Sequence, residues 1–123
     1  MIYIDGDALK TLRPNEQYVW MGHGYSGLTW LESSTPPTEA EINTELTRLN
    51  NAEPMRLLRV ERDKRLADCD WVSAKATDSG VAVSDAWKTY RQALRDLPAS
   101  ASPKLDSEYE LDLISVTWPT KPS

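Results

Sequence analysis

Apolar side chains recur at helical spacing from residue 38 onward, whereas the first 37 residues carry most of the strand-forming pattern. Ile42, Leu46 and Leu49 lie at i, i+4 and i+7, on one side of an amphipathic helix. Thr38 and Glu41 before this stripe satisfy the capping-box pattern, in which each side chain accepts a hydrogen bond from the other residue's backbone. The sequence therefore predicts a helix that begins at Thr38.

Pro54 interrupts the helical pattern that continues beyond this stripe. Proline has no backbone N–H, so it either lies in the first turn of a new helix or kinks one long helix at a cost of about 3 kcal/mol. Of the two, we expect the break. From Met55 to Asp68 the chain again favours helix, and arginines at every third position give this helix a basic ridge: Arg56, Arg59, Arg62 and Arg65.

Another helix is predicted beyond a turn-rich connection at residues 71–83. Ser84 can cap it, and its apolar stripe at i, i+3, i+7 and i+10 consists of Trp87, Tyr90, Leu94 and Leu97. Pro98 is expected to end it. Because a short connection favours antiparallel neighbours, this helix and the one before residue 71 should form an antiparallel helical hairpin.

The N-terminal region, residues 1–37, is predicted to contain a β-hairpin. Gln17–Met21 and Leu28–Leu31 are rich in aromatic and β-branched residues and flank a glycine-rich loop. Asp7–Arg13 can form one or two helical turns before Pro14. Since an isolated two-stranded hairpin is only marginally stable in water, it must pack on another part of the chain.

The C-terminal region, residues 99–123, is predicted to be a linker followed by an extended, proline-containing tail. Lys104–Asp112 is polar and acidic and is expected to order poorly by itself, whereas Ile114–Pro119 returns to strand-like alternation. With a helical region at residues 38–98, the predicted fold class is α+β: an N-terminal β-hairpin region, an antiparallel helical hairpin and an extended C-terminal tail.

The charge and hydropathy of the chain disfavour nucleic acid and membrane partners. The 123 residues carry a formal net charge of -5, so a nucleic acid partner is disfavoured because phosphate binding needs a basic surface. Acidic neighbours nearly balance the arginine ridge, and we expect ion pairs instead, such as Asp70 or Asp96 with an arginine of the facing helix. No stretch approaches the roughly 20 apolar residues of a membrane span.

Cofactor and catalytic sites are also disfavoured. Cys69 is the only cysteine and His23 the only histidine, which excludes an intramolecular disulfide and leaves too few ligands for a metal site. Gly22–Gly27 matches the letters of the dinucleotide fingerprint, but a strand is predicted where that motif needs a helix. A hydrolase that uses His23 and Ser26 is a remaining alternative, although Gly24–Gly27 lacks the spacing of a nucleophile elbow. These residues therefore disfavour a metal site, a dinucleotide site and a nucleophile elbow.

The aromatic residues favour an interface. Five tryptophans and five tyrosines occur without a phenylalanine, and both residue types combine apolar area with a polar atom, as interfaces prefer. Four of the tryptophans are expected in the core: Trp20, Trp30, Trp71 and Trp87. Trp118, in the proline-containing tail, either docks within the chain or anchors a partner.

Three segments, Arg59–Trp71, Tyr90–Pro98 and Trp118–Pro122, occur in an order that resembles the tail fibre assembly chaperones of bacteriophages. Lys64 departs from the family pattern, which often has asparagine there. The resemblance implies a protein that binds the phage tail fibre protein, often at its C-terminal part. It also implies a binding protein and not an enzyme, one that assists folding, trimerisation or attachment of the fibre without a cofactor.

The predicted partner-binding site combines the helix that follows Ser84 with the C-terminal tail. It consists of Trp87, Tyr90, Arg91, Leu94, Arg95, Trp118 and Pro119. With no signal-peptide pattern at Met1–Asp7, the protein is expected in the host cell cytoplasm during assembly. The alternative function is a minor structural adaptor of the tail or baseplate that stays on the fibre in the virion. Self-association is a second interaction that the sequence leaves open.

Overall fold

The computed structural model describes residues 3–22 and 24–123, so every prediction for His23 lies outside the described residues. The elements in chain order are α1 (Asp5–Leu12), β1 (Tyr18–Trp20), β2 (Leu28–Trp30), α2 (Glu39–Asp68), α3 (Trp71–Ser79) and α4 (Asp85–Ser100). Short 3-10 segments occur at Tyr25–Gly27 and Leu113–Ser115. The mixture of helices and one antiparallel sheet agrees with the predicted α+β class. The chain divides into two compact units, Met1–Glu53 and Pro54–Ser123.

The N-terminal unit contains the predicted β-hairpin. Strands β1 and β2 are antiparallel, with Tyr18 opposite Trp30 and Trp20 opposite Leu28. These four side chains pack against a buried cluster of Ala8, Leu9 and Ile42 from α1 and α2. The hairpin is therefore stabilised by burial of one face on helices, which a two-stranded sheet requires.

The glycine-rich connection closes the hairpin tightly at Gly27. The Met21 N–H donates to the Gly27 carbonyl oxygen at 2.9 Å. A Cβ atom on Gly27 would overlap the Met21 carbonyl oxygen, so the residue must be glycine. Strand β2 begins at the next residue. The glycine therefore serves hairpin closure, and the helix that a dinucleotide fingerprint needs does not follow it.

The predicted start of α2 is confirmed by a reciprocal pair of hydrogen bonds. The Glu41 N–H donates to Thr38 Oγ1 at 3.2 Å, and the Thr38 N–H donates to Glu41 Oε1 at 3.3 Å. Ile42 is 2 % exposed, and Leu46 and Leu49 pack against the same cluster. The predicted apolar stripe therefore faces the core of the N-terminal unit.

The expected break at Pro54 is wrong, because α2 continues through it as one helix of 30 residues. Proline removes the N–H that would bond the carbonyl of Asn50. The Asn50 side chain adds local bonds of its own, since Nδ2 donates to the Leu46 carbonyl at 3.0 Å and Oδ1 accepts the Tyr3 N–H at 3.1 Å. Strong helix formers on both sides of Pro54 extend the helix across the lost bond.

The predicted turn-rich connection at residues 71–83 is also wrong over most of its length, because Trp71–Ser79 is helix α3. Lys75 and the alanines of this segment favour helix, and the turn signal at Asp78–Gly80 marks only its end. Gly80 has a φ of 71° and its N–H donates to the Ala76 carbonyl at 3.0 Å. Glycine at this left-handed position is the usual helix stop.

Helix α4 extends past Pro98 to Ser100, contrary to the expected stop. Pro98 removes only its own N–H, and the Ala101 N–H still donates to the Leu97 carbonyl at 3.0 Å. Its start is as predicted, since Ser84 Oγ accepts the Trp87 N–H at 3.4 Å.

The acidic segment after α4 forms a closed loop. Leu105 and Leu111 form an isolated antiparallel bridge, and the Asp106 N–H donates to the Glu110 carbonyl at 2.7 Å. Leu113–Ser115 is a 3-10 turn, so the predicted strand-like character is wrong at Ile114. Val116, which follows the 3-10 turn, is buried, with 6 % of its surface exposed.

Candidate partner-binding surface

The apolar stripe of α4 forms the core of the C-terminal unit. Tyr90 and Leu94 are 6 % and 0 % exposed and cluster with Cys69 and Val72. The partly buried side chains packed around this cluster are Leu66, Val83, Trp87 and Trp118. Tyr90 and Leu94 face α3 and the end of α2. They therefore belong to the core that holds the predicted site in position, and not to its exposed surface.

The aromatic side chains extend from this core toward the surface. The ring centroids of Tyr90 and Trp87 are 5.9 Å apart at 75°, and those of Trp87 and Trp71 are 5.5 Å apart at 77°. Both pairs are edge-to-face, the favoured arrangement of aromatic rings. Trp87 is half-buried and Trp71 is 51 % exposed, so this row of rings links the core to solvent.

Arg91 binds α4 to the junction of α2 and α3. Its Nη1 donates to the Leu66 carbonyl at 3.1 Å and to Cys69 Sγ at 3.0 Å, and its Nη2 donates to Asp70 Oδ1 at 3.0 Å. Burial of the guanidinium opposes its charge, but the hydrogen bonds to Cys69 and Asp70 outweigh that effect and raise the pKa of Arg91. The predicted ion pair of Asp70 with an arginine of another helix is therefore confirmed.

We expect Cys69 to react with a soluble disulfide reagent only when the C-terminal unit opens. Its side chain is 0 % exposed, and its thiol lies 3.4 Å from the Leu66 carbonyl. The reaction in buffer should be at least about a hundredfold slower than in denaturant, as measured by absorbance. The control is a Cys69→Ala variant with a new cysteine at the exposed Ala74. Equal rates for Cys69 in buffer and denaturant would contradict its burial.

Arg95 is the exposed cation of the predicted site. Its Nη1 donates to Gln92 Oε1 at 3.3 Å, and its carbonyl accepts a hydrogen bond from Arg62 Nη1 at 3.3 Å. Arg62 also pairs with Asp63 at 2.7 Å, and Arg65 pairs with Glu61 at 3.1 Å. Two arginines of the predicted ridge are thus paired with acidic residues of α2 itself, whereas the sequence predicted pairs with a facing helix.

Trp118 docks within the chain, which is one of its two predicted roles. Its ring lies under the Arg65 guanidinium, 4.0 Å from the ring centroid, and its Nε1 donates to the Leu113 carbonyl at 3.2 Å. The ring also packs against the core cluster. A cation over a tryptophan face is a stabilising contact, so Trp118 holds the tail in place. Pro119 follows it and is half-buried.

An open groove of about 580 Å³ runs between α4 and this tail. Its wall on α4 is formed by Asp85, Ala86, Thr89, Tyr90 and Ala93, and its wall on the tail by residues 119–123. It therefore brings together two of the predicted site residues, Tyr90 and Pro119. Its size suits a few side chains of a partner.

The sequence missed a second, apolar groove, which lies between α3 and the start of α4. It has a volume of about 200 Å³, and its apolar lining includes Trp71, Val81, Val83 and Trp87. Trp71 was expected in the core, but in α3 it is Val72 that faces inward. Recognising α3 as a helix would have placed Trp71 about 100° away from Val72 and thus off the buried face.

The sequence raised three other possibilities, which are a metal site, a membrane span and a hydrolase site. Within residues 3–22 and 24–123, no group of three or more histidine, cysteine or carboxylate side chains is placed to hold a metal ion. None of the described helices is both long and apolar enough to span a membrane. The hydrolase alternative depends on His23, which lies outside the described residues.

Comparison with known proteins identifies the family. No curated protein and no solved structure matches the chain. The family model described as phage tail assembly chaperone protein matches residues 55–123, which is more than half of the chain. The matched residues include α3, α4, the tail and all seven residues of the predicted site. The chain therefore belongs to the phage tail assembly chaperone family.

Proposed function

We propose that this protein is a chaperone of the phage tail fibre protein, whose C-terminal part it binds through α4 and the C-terminal tail. The observation that carries the proposal is the open groove between α4 and residues 119–123, which lies within the family match and is built on a buried core. A bound chaperone would cover apolar segments of the fibre before trimerisation and so prevent aggregation. The protein would act in the host cell cytoplasm during assembly.

The predicted site residues take two roles in this proposal. Pro119 lines this groove. Arg95 is exposed and Trp87 and Trp118 are partly exposed outside the groove, and we propose that these three supply further contacts to the fibre. Tyr90, Arg91 and Leu94 hold α4 against Cys69 and its neighbours. A rigid support of this kind lowers the entropic cost of binding, because the contact residues are already ordered.

The support for α4 is proposed to be an antiparallel helical hairpin with the end of α2. Arg91 bonds Asp70 and Leu66, and the Arg95 carbonyl bonds Arg62. Residue numbers thus rise along α4 while they fall along the facing segment. Trp118 adds the extended tail to the same support, since Arg65 of α2 covers its ring.

Blocking the groove tests the binding site. Thr89→Arg places a long side chain on the exposed groove wall without loss of helix propensity, and we expect it to weaken binding of the fibre's C-terminal part at least about tenfold. The control is Thr77→Arg, at an exposed position of α3 that is outside this groove. Binding is measured by titration calorimetry, and thermal unfolding is followed in parallel.

Charge reversal tests the exposed cation separately. Arg95→Glu should slow association with the fibre and weaken binding, whereas Arg59→Glu, an exposed reversal on α2, should have little effect. If the Thr89→Arg and Arg95→Glu variants both bind the fibre as the unchanged protein does, the fibre does not use α4. Quantifying the protein in purified particles then separates a chaperone that leaves from an adaptor that stays.

A further inference from the structure

The acidic loop, residues 105–114, is ordered by its own polar groups. Asp106 Oδ1 accepts the N–H groups of Glu108 at 2.8 Å and Glu110 at 3.0 Å. Asp112 Oδ1 accepts the Ile114 N–H at 3.1 Å. Asp106 and Asp112 are therefore part of the loop framework, while the side chains of Glu108 and Glu110 are exposed.

The tip of the acidic loop holds an aromatic residue in an unfavourable backbone conformation. Tyr109 has a φ of 62°, and among residues 3–22 and 24–123 it is the one non-glycine residue with a positive φ. Left-handed backbone is strained for a tyrosine and easy for a glycine. Tyr109 is 48 % exposed, so burial of its ring does not account for the choice of residue. Strain of this kind concentrates at functional positions.

Two more apolar side chains lie exposed in the same loop. Leu113 is 48 % exposed and Ile114 is 94 % exposed. The loop therefore exposes three apolar side chains together with the carboxylates of Glu108 and Glu110. An ordered apolar surface on a small protein is a common mark of protein binding.

The apolar groove between α3 and α4 combines apolar side chains with positive charge. Lys75 lines it beside Trp71, Val81 and Trp87. A neighbouring groove shares Val83 and is lined by Ser73, Lys88, Arg91, Gln92 and Arg95. Of the described residues that line the two grooves, four are basic and none is acidic, although the chain carries a net charge of -5. Arg91 is paired with Asp70, which leaves Lys75, Lys88 and Arg95 as the cations that a partner can meet, so this pair of grooves is apolar and basic.

We propose that the acidic loop of one copy docks into the apolar and basic grooves of a second copy. The occupant is a second copy because the chain itself carries a surface whose charge and polarity match the grooves. The two surfaces differ, so the contact is head-to-tail and builds either a ring or an open chain. A contact made by a single loop is expected to be weak and to form only at high local concentration. It leaves the groove between α4 and the tail open, but Trp87 and Arg95 line the docking grooves, so on the proposed function the loop and the fibre compete for these two side chains.

Reciprocal charge reversal tests the proposal. The loop variant is Glu108→Lys with Glu110→Lys, and the groove variant is Lys75→Glu with Lys88→Glu. The unchanged protein should show a mass that rises with concentration in analytical ultracentrifugation, and each variant alone should associate at least about tenfold more weakly. A mixture of the two should associate again, because each altered surface then meets its opposite charge.

Matched reversals outside both surfaces control for net charge. Glu39→Lys with Asp68→Lys matches the loop variant, and Lys10→Glu with Lys64→Glu matches the groove variant; all four positions are exposed. These controls should associate as the unchanged protein does. Ile114→Ser should weaken association without any change of charge.

Three results would overturn the proposal. One is an unchanged protein that is monomeric at every concentration, and another is a mixture of variants that forms no heavier species. The third is a groove variant that loses the fibre but keeps its self-association. The loop variant should bind the fibre normally, so failure of self-association is distinguished from failure of the proposed chaperone function.

Discussion

Replacing Leu94 with alanine is expected to lower the free energy of unfolding by about 2–5 kcal/mol. Leu94 is 0 % exposed and lies in the cluster with Cys69, Val72 and Tyr90. Removing its branched end leaves a cavity that the surrounding side chains fill only in part. The loss is measured by urea unfolding, followed by tryptophan fluorescence and by circular dichroism.

The matched control for this change is Leu113→Ala. Leu113 is 48 % exposed in the same unit, so the same chemical truncation should cost less than about 1 kcal/mol. Equal losses for the two variants would show that Leu94 is not a core residue. The Leu94→Ala variant should also make Cys69 react faster with a disulfide reagent, because both side chains belong to one cluster.

Replacing Pro54 with alanine is expected to raise the free energy of unfolding by about 2 kcal/mol. A proline inside a helix costs about 3 kcal/mol through its missing hydrogen bond and its clash with the preceding turn. Alanine restores an N–H that can donate to the Asn50 carbonyl. Part of the gain is offset by about 0.4–1 kcal/mol, because alanine gives the unfolded chain more freedom.

The control for this change is Pro98→Ala. Pro98 lies in the last turn of α4, two residues before the helix ends at Ser100. Helix ends fray, so a restored bond there should add clearly less stability than one in the middle of α2. A Pro54→Ala variant that is less stable than the unchanged protein would contradict this account and would mean that the chain needs proline at residue 54.

Local sequence signals predicted the elements that depend on local contacts. The capping box of Thr38 and Glu41, the β-hairpin and the inward stripe of α2 rest on neighbouring residues, and the structure has all of them. The same holds for Ser84 at the start of α4. Each of these features needs only a few residues of fixed type and spacing, which a single sequence displays.

The helix ends predicted at the prolines were wrong, because packing of the rest of each helix outweighs the free-energy cost of the proline. Pro54 and Pro98 both lie inside helices, although each loses a hydrogen bond. Packing of Ile42 and Leu58 on either side of Pro54, and of Leu94 before Pro98, stabilises turns that propensity alone disfavours. The sequence pattern shows which residue loses a helical hydrogen bond, but it does not show the tertiary contacts that compensate for the loss.

The candidate site was only partly predictable for a related reason. Helical spacing places Tyr90 and Leu94 on one face, but it does not say whether that face meets the core or a partner. The burial of both residues requires the contacts of Cys69 and Val72. Trp71 and Val81, which line the apolar groove, were not recognised because residues 71–79 were predicted as a turn and not as α3.

The measurement that tests the central claim most directly is the yield of soluble, trimeric tail fibre after expression with and without this protein. We expect soluble trimer to form mainly in its presence and a complex to be recovered, and we expect Thr89→Arg to lower the yield while Thr77→Arg does not. Equal yields of trimer in its absence, with no complex recovered, would contradict the proposal that it is a chaperone of the tail fibre.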